Sequence, residues 1–250
     1  MDRNELLEPF ERMLAKLFPA QRVREIDRGA RWVAELAEIE ASGFLDLLAG
    51  EDAGGAGLAF DAAIPLFMAL GGRLAPLEIG SAMIARAGRG EAEARYAEAI
   101  LRAAAIAGAA NHLLEMTTAY ANERVQFGKP IGRQQALQQQ LAVMAQDCIA
   151  ARLAVELAGR GGEWPDALRA ALAKSAASAA APRIANIAHA VHGAIGISAE
   201  YDLQLYTRRL HRWRVERGSE GLHNRMIGAA LLESDASSVD WLRGEVFGET

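Results

Sequence analysis

The 250-residue sequence contains one cysteine, Cys148, which excludes an intrachain disulfide framework and any zinc site built from a cysteine cluster. Aromatic residues make up only 6%, while alanine supplies about a fifth of the chain and much of its 51% apolar content. Alanine is the best helix former and a weak core filler, so this balance favours long, closely packed helices over sheets. Basic residues do not outnumber acidic ones: 27 Lys and Arg face 32 Asp and Glu, a net charge of −5. That argues against a nucleic-acid binder or an anionic-membrane binder, which needs a basic face. The start, Met1-Asp2-Arg3-Asn4-Glu5, carries charges where a secretory signal needs an apolar run. The longest charge-free apolar stretch, Ala62 to Gly72, is too short to span a bilayer and contains Pro65. These absences predict an all-α protein of a reducing compartment, the cytoplasm.

What is present is helical periodicity. Phe10, Met13, Leu14 and Leu17 mark a first amphipathic helix ending before Pro19, and Trp32, Leu36 and Ile39 a further one stopped near Gly43. The glycine-dense Gly50–Gly57 segment reads as a turn. Asp61 is expected to cap the next helix, which Gly71-Gly72 close. A break at Arg86–Gly90 separates this N-terminal helical domain, residues 1–88, from residues 89–234. In the second part, helices are expected from Glu91 to about Arg124, from Gln134 to about Gly159 and from Asp166 to about Val191. Shorter ones follow at Tyr206–Arg214 and Leu222–Leu232. Leu141, Met144, Cys148, Ala151 and Val155 form a buried 3,4-spaced stripe. Short turns between long helices predict an antiparallel four-helix bundle. The polar tail, 235–250, reads as frayed.

Chemistry has few places to sit. Arg124-Val-Gln-Phe-Gly128 lies at a helix C-terminus, where an arginine fork beside an aromatic ring suits a phosphate next to a flat ring system. The competing reading is a helix-capping arginine with a core phenylalanine. His192-Gly-Ala-Ile-Gly196 is a glycine turn that permits close approach of a ligand phosphate, though such turns are common between helices. His189 and His192 share a helix face without acidic or thiolate company, so they read as core or cap histidines and no metal site is expected. Arg208, Arg209, Arg212, Arg214 and Arg217, interleaved with Glu200, Glu216 and Glu220, read as a salt-bridged helix face rather than an RNA stripe. No nucleophile elbow, zinc-protease, Walker or dinucleotide motif is present.

Taken together, two segments are far more specific than their parts. Tyr120-Ala-Asn-Glu-Arg-Val-Gln-Phe-Gly-Lys-Pro-Ile-Gly-Arg-Gln-Gln-Ala-Leu-Gln138 closely resembles a signature of the acyl-CoA dehydrogenase family. So does Ala188-His-Ala-Val-His-Gly-Ala-Ile-Gly-Ile197, followed by Tyr201-Asp-Leu-Gln-Leu-Tyr-Thr-Arg-Arg209. Gly43 to Leu58 and Leu74-Ala-Pro-Leu77 resemble the family's N-terminal helical domain. The resemblance implies FAD as cofactor and an acyl-CoA oxidised between its α and β carbons. It gives Arg124 the flavin pyrophosphate of a neighbouring subunit, with Gln126, Phe127 and Gln135 on the same cofactor. Gly193, Ala194, Ile195 and Gly196 fall to the ADP half of that flavin.

Three departures shape the expectation. The family's middle β-domain belongs between about Ala85 and Glu91, where these few residues cannot form a domain of about 50 or more. The family's two positions for the catalytic base fall on Gly218 and Leu101, neither of which titrates; Glu216 and Glu220 flank the first. Ala190 stands where a glutamine is common. The resemblance therefore implies a subunit of a heteromeric acyl-CoA dehydrogenase that completes the FAD site of a partner, in a homo- or hetero-oligomer. The alternatives are a complete flavin enzyme using Glu220 or Glu216 as base, and a scaffold relative without flavin.

Overall fold

The computed structural model describes residues 3–247 and is helical almost throughout. Eleven α-helices are present among these residues: α1 (Arg3–Leu17), α2 (Ala20–Asp27), α3 (Val33–Ala41), α4 (Phe60–Gly72), α5 (Glu78–Arg86), α6 (Glu91–Glu123), α7 (Gln135–Ala158), α8 (Ala167–His192), α9 (Leu203–Val215), α10 (Glu220–Glu233) and α11 (Ser238–Leu242). The only strands among them are β1 (Val125–Gln126) and β2 (Lys129–Pro130), an antiparallel pair that pairs Val125 with Pro130 and Gln126 with Lys129.

α6, α7 and α8 are the long members of the bundle, and its fourth position is divided between α9 and α10. α6 is the central strut, packed by α4 on one side and by α7, α8 and α9 on the others. Its run from Ala103 to Ala110 is fully buried, because small side chains let four neighbours approach one helix at once. The expected α7 stripe is confirmed: Met144, Cys148, Ala151 and Val155 are buried, with Leu141 half-buried.

The seam between α4 and α6 is closer than side chains allow. A Cβ at Gly108 would lie 1.9 Å from the Met68 carbonyl oxygen, and one at Gly71 2.0 Å from that of Ala105. Gly71 therefore serves a backbone contact as well as the helix end. One hydrophobic core accordingly runs through both halves of the chain, from Phe10 and Phe67 to Leu210 and Trp213. Between them the connection is direct: α5 ends at Arg86 and α6 starts at Glu91. No β-domain lies between the helical parts.

Two local expectations change. The helix that Asp61 is expected to cap begins two residues earlier, at Phe60, with Ala59 as N-cap and Asp61 in the first turn, where its charge suits the helix dipole. The segment after Ser234 is not wholly frayed: Ser237 caps α11 by accepting from the Asp240 amide at 3.2 Å, and Trp241 is buried. At α8 the expected cap holds, with Asp166 Oδ1 accepting from the Arg169 amide at 2.8 Å. No helix among the described residues is long and apolar enough to cross a membrane.

Candidate functional site

An up–down bundle gathers the C-terminal ends of α6 and α8 and the N-terminal end of α7 at one end of the molecule. Ala121, Ile131 and Val191 form a small separate core there, covered by Tyr120, Leu137 and Leu141. Tyr120 stacks on His192 with ring centroids 4.4 Å apart, and its hydroxyl donates to the His192 carbonyl at 3.4 Å. Tyr201, ahead of α9, closes the group at 5.3 Å from His192. Tyr120 and His192, 72 residues apart in sequence, thus bring segments 120–135 and 192–197 together at one bundle end.

On this end the β1–β2 hairpin projects outward. Phe127, at its tip, is 93% exposed and holds a left-handed backbone, φ +52°. The reading of Phe127 as a core residue is thereby excluded. Arg124 is exposed, and its side chain has no hydrogen-bond or ion-pair partner among the described residues. Its backbone closes the hairpin base, its carbonyl accepting from the Ile131 amide at 2.8 Å. Gln126 and Gln135 are exposed beside it. The second motif forms a 3-10 turn over Gly193–Ile197. Gly193 has φ +61° and nothing within 4 Å of a would-be Cβ, and Ala194 and Ile195 are exposed. Gly196 is different: it is buried, and a Cβ there would lie 2.8 Å from Leu203, so it serves packing.

His192 is buried and His189 half-buried. The His192 ring Nδ1 lies 2.8 Å from the Ala188 carbonyl and His189 Nε2 lies 3.0 Å from Thr207 Oγ1, and burial lowers both pKa values. Among the described residues no group of three His, Cys, Asp or Glu is placed to hold a metal ion.

The two positions that the resemblance gives to a base, Leu101 and Gly218, hold no titratable side chain. Leu101 is fully buried, its methyls against Gly80. Gly218 lies in the turn between α9 and α10 with φ +102°. Both flanking carboxylates are engaged by arginines. Arg214 donates to both carboxylate oxygens of Glu220, which holds that carboxyl below its ordinary pKa. Glu216 accepts from Arg212 at 2.6 Å and Arg102 at 3.4 Å. Arg209 and Arg217 pair with Asp27 and Glu98, so four arginines of the basic cluster are salt-bridged, Arg208 being the exception among the described residues.

Sequence reasoning passed over Lys174 and His223, both buried beneath this turn. The one available signal was a lysine set into the alanine run of α8 with Ser178 four residues on.

The helical bundle thus gathers an arginine-bearing hairpin and a glycine turn at one end. Residues 93–232 match the family model of the acyl-CoA dehydrogenase C-terminal domain. The chain belongs to the acyl-CoA dehydrogenase family. It is 42% identical over 149 residues to the acyl-CoA dehydrogenase IpdE2 of Mycobacterium tuberculosis, covering 60% of this chain and 41% of that protein. To the glutaryl-CoA dehydrogenase of Desulfococcus multivorans it is 37% identical over 128 residues, covering 50% of this chain and 33% of that one. The chain thus spans well under half the length of these curated relatives. Among solved structures, a chain of the ChsE4-ChsE5 complex from Mycobacterium tuberculosis has the same fold. There the TM-score is 0.83 at 18% identity, over 94% of this chain and 100% of the other.

Proposed function

We propose that this chain is an acyl-CoA dehydrogenase-like subunit that completes the FAD site of a partner, and that the partner oxidises an acyl-CoA at its α and β carbons. The observation that carries the reading is the bundle end itself. Arg124 and Phe127 stand exposed there with no hydrogen bond, ion pair or ring contact for either side chain among the described residues, at the same bundle end as the open turn at Gly193. These residues fit the cofactor: a guanidinium free to fork onto a pyrophosphate, an aromatic face, and a backbone that a phosphate can approach. Gln126 and Gln135 add amide donors beside it, and Ala194 and Ile195 supply the apolar rim. Acceptance of a hydride from the substrate's β carbon is the chemistry that a bound flavin supplies.

The division of labour follows from what the chain lacks. Oxidation at the α and β carbons requires a base within hydrogen-bond reach of the α proton. Gly218 and Leu101 offer none, and Glu216 and Glu220 are held by arginines. Without a β-domain between Arg86 and Glu91, the chain has no second wall for a flavin ring. The end-to-end correspondence in fold with one chain of a two-protein complex supports a partner of the same family. The alternative of a complete enzyme gains nothing from the geometry of either glutamate.

The test is co-expression with the neighbouring gene product, followed by size exclusion and a flavin absorbance spectrum, with turnover over a panel of acyl-CoAs and an artificial electron acceptor. A yellow complex that turns over, with a colourless and inactive single chain, is the expected result. Robust turnover by the purified single chain, abolished by Glu220→Gln, would overturn the reading.

A further inference from the structure

The turn between α9 and α10 carries three backbone carbonyls that leave the helical ladder, those of Arg214, Arg217 and Gly218. Each is met from inside the protein by a buried side chain. Lys174 Nζ, on α8 and wholly inaccessible, donates to Arg214 O at 2.8 Å, to Gly218 O at 2.9 Å and to Ser178 Oγ at 2.8 Å. An ammonium has three N–H donors and no acceptor, so this set uses it completely. Ser178 passes its own hydroxyl on to Arg214 O at 3.2 Å. His223 Nε2, on the first turn of α10, lies 3.0 Å from Arg217 O.

The same imidazole controls what position 218 can carry. A Cβ built on Gly218 would lie 2.8 Å from His223 Nε2 and 2.7 Å from Leu222 Cδ2, on a backbone at φ +102°. L side chains avoid that region, and here the first carbon of any side chain also overlaps the clasp.

We propose that Lys174 and His223 form a buried clasp that fixes the Arg214–Ser219 turn, with His223 and the neighbouring Leu222 occupying the space a side chain at 218 would need. The turn is then a strut between α8, α9 and α10 rather than a platform for chemistry. The absence of a base at 218 becomes a property of the packing around it, not of one codon. This inference rests on the reading that the chain supplies no base to its partner.

Hydrogen–deuterium exchange on the full chain, without partner, tests it separately from flavin completion. Lys174→Met and His223→Phe are each expected to speed amide exchange over residues 215–221 by at least about tenfold, with the α7 amides unchanged. Ser178→Ala, which keeps the lysine, is the milder variant and is expected to give a smaller rise at the same amides. Gly218→Ala and Gly218→Glu are expected to loosen the turn alike, since the first carbon is the obstacle. Unchanged exchange in the foldable members of the set would overturn the clasp. So would a Gly218→Glu chain with wild-type protection. A colourless complex with the turn loosened as described would instead refute flavin completion and leave the clasp standing.

Discussion

Arg214 and Glu220 face each other across the bend between α9 and α10, with the guanidinium Nε 3.1 Å from Glu220 Oε1 and 3.0 Å from Oε2. A carboxylate gripped in this way is tied to structure and is a weak proton acceptor, because the neighbouring cation favours its ionised form. Glu220→Gln and Glu216→Gln are therefore expected to leave turnover of the assembled complex within a few-fold of wild type. Steady-state assays with an artificial acceptor check this. The pair is partly exposed, so the stability lost in Glu220→Gln should be about 1 kcal/mol or less.

The Arg124 side chain makes no hydrogen bond or ion pair among the described residues, so its removal should separate binding from folding. Arg124→Ala is expected to weaken flavin retention by the complex by about 1.5–3 kcal/mol, the range for a hydrogen bond to a charged group. The melting midpoint of the chain alone should stay within the scatter of ordinary surface changes. Flavin release during dialysis and thermal unfolding of the free chain give the two readouts.

Lys174 predicts an unusual pH dependence. Burial lowers its pKa from 10.5 to about 8, against the pull of Glu220 and Glu216. Between these values the unfolded chain holds a proton that the folded chain has released, so this group makes stability rise with pH over that window, by at most about 3 kcal/mol. Cys148 acts in the opposite sense, since burial pushes its thiol up to about 12 and the unfolded thiol ionises first. Comparing wild type with Lys174→Met in denaturant titrations from pH 7.5 to 10 isolates the lysine: the variant should lose the upward slope.

The α4–α6 seam predicts a sharp contrast between two glycines. Gly108→Ala would place a methyl 1.9 Å from the Met68 carbonyl and force the helices apart, at a cost of about 2 kcal/mol or more despite the better helix propensity of alanine. Gly228, within α10, has nothing within 4 Å of a would-be Cβ. Gly228→Ala should stabilise by up to about 1 kcal/mol, for want of any clash. Chemical denaturation of the two variants side by side decides between local propensity and close approach.

The sequence by itself determined the helical class and the position of most helices. Alanine content, 3,4-spaced apolar stripes and glycine breaks act through nearest neighbours on one chain segment, so the start of α6 and the Asp166 cap could be read directly. It also determined the two motifs, whose residue order needs no folding to be visible. What only the tertiary structure decided concerns positions where distant segments meet. Phe127 looked like a core residue because aromatics usually bury, yet the short hairpin turns it 93% outward. Gly71 looked like a helix stop, and it is also a backbone contact with Ala105. Gly196 shared a motif with Gly193, yet one is packed against Leu203 and the other open. Lys174 gave almost no signal, because a buried ammonium is stabilised by carbonyls 40 and 44 residues away. Such contacts depend on which helix ends the bundle brings together, and local sequence carries no record of that.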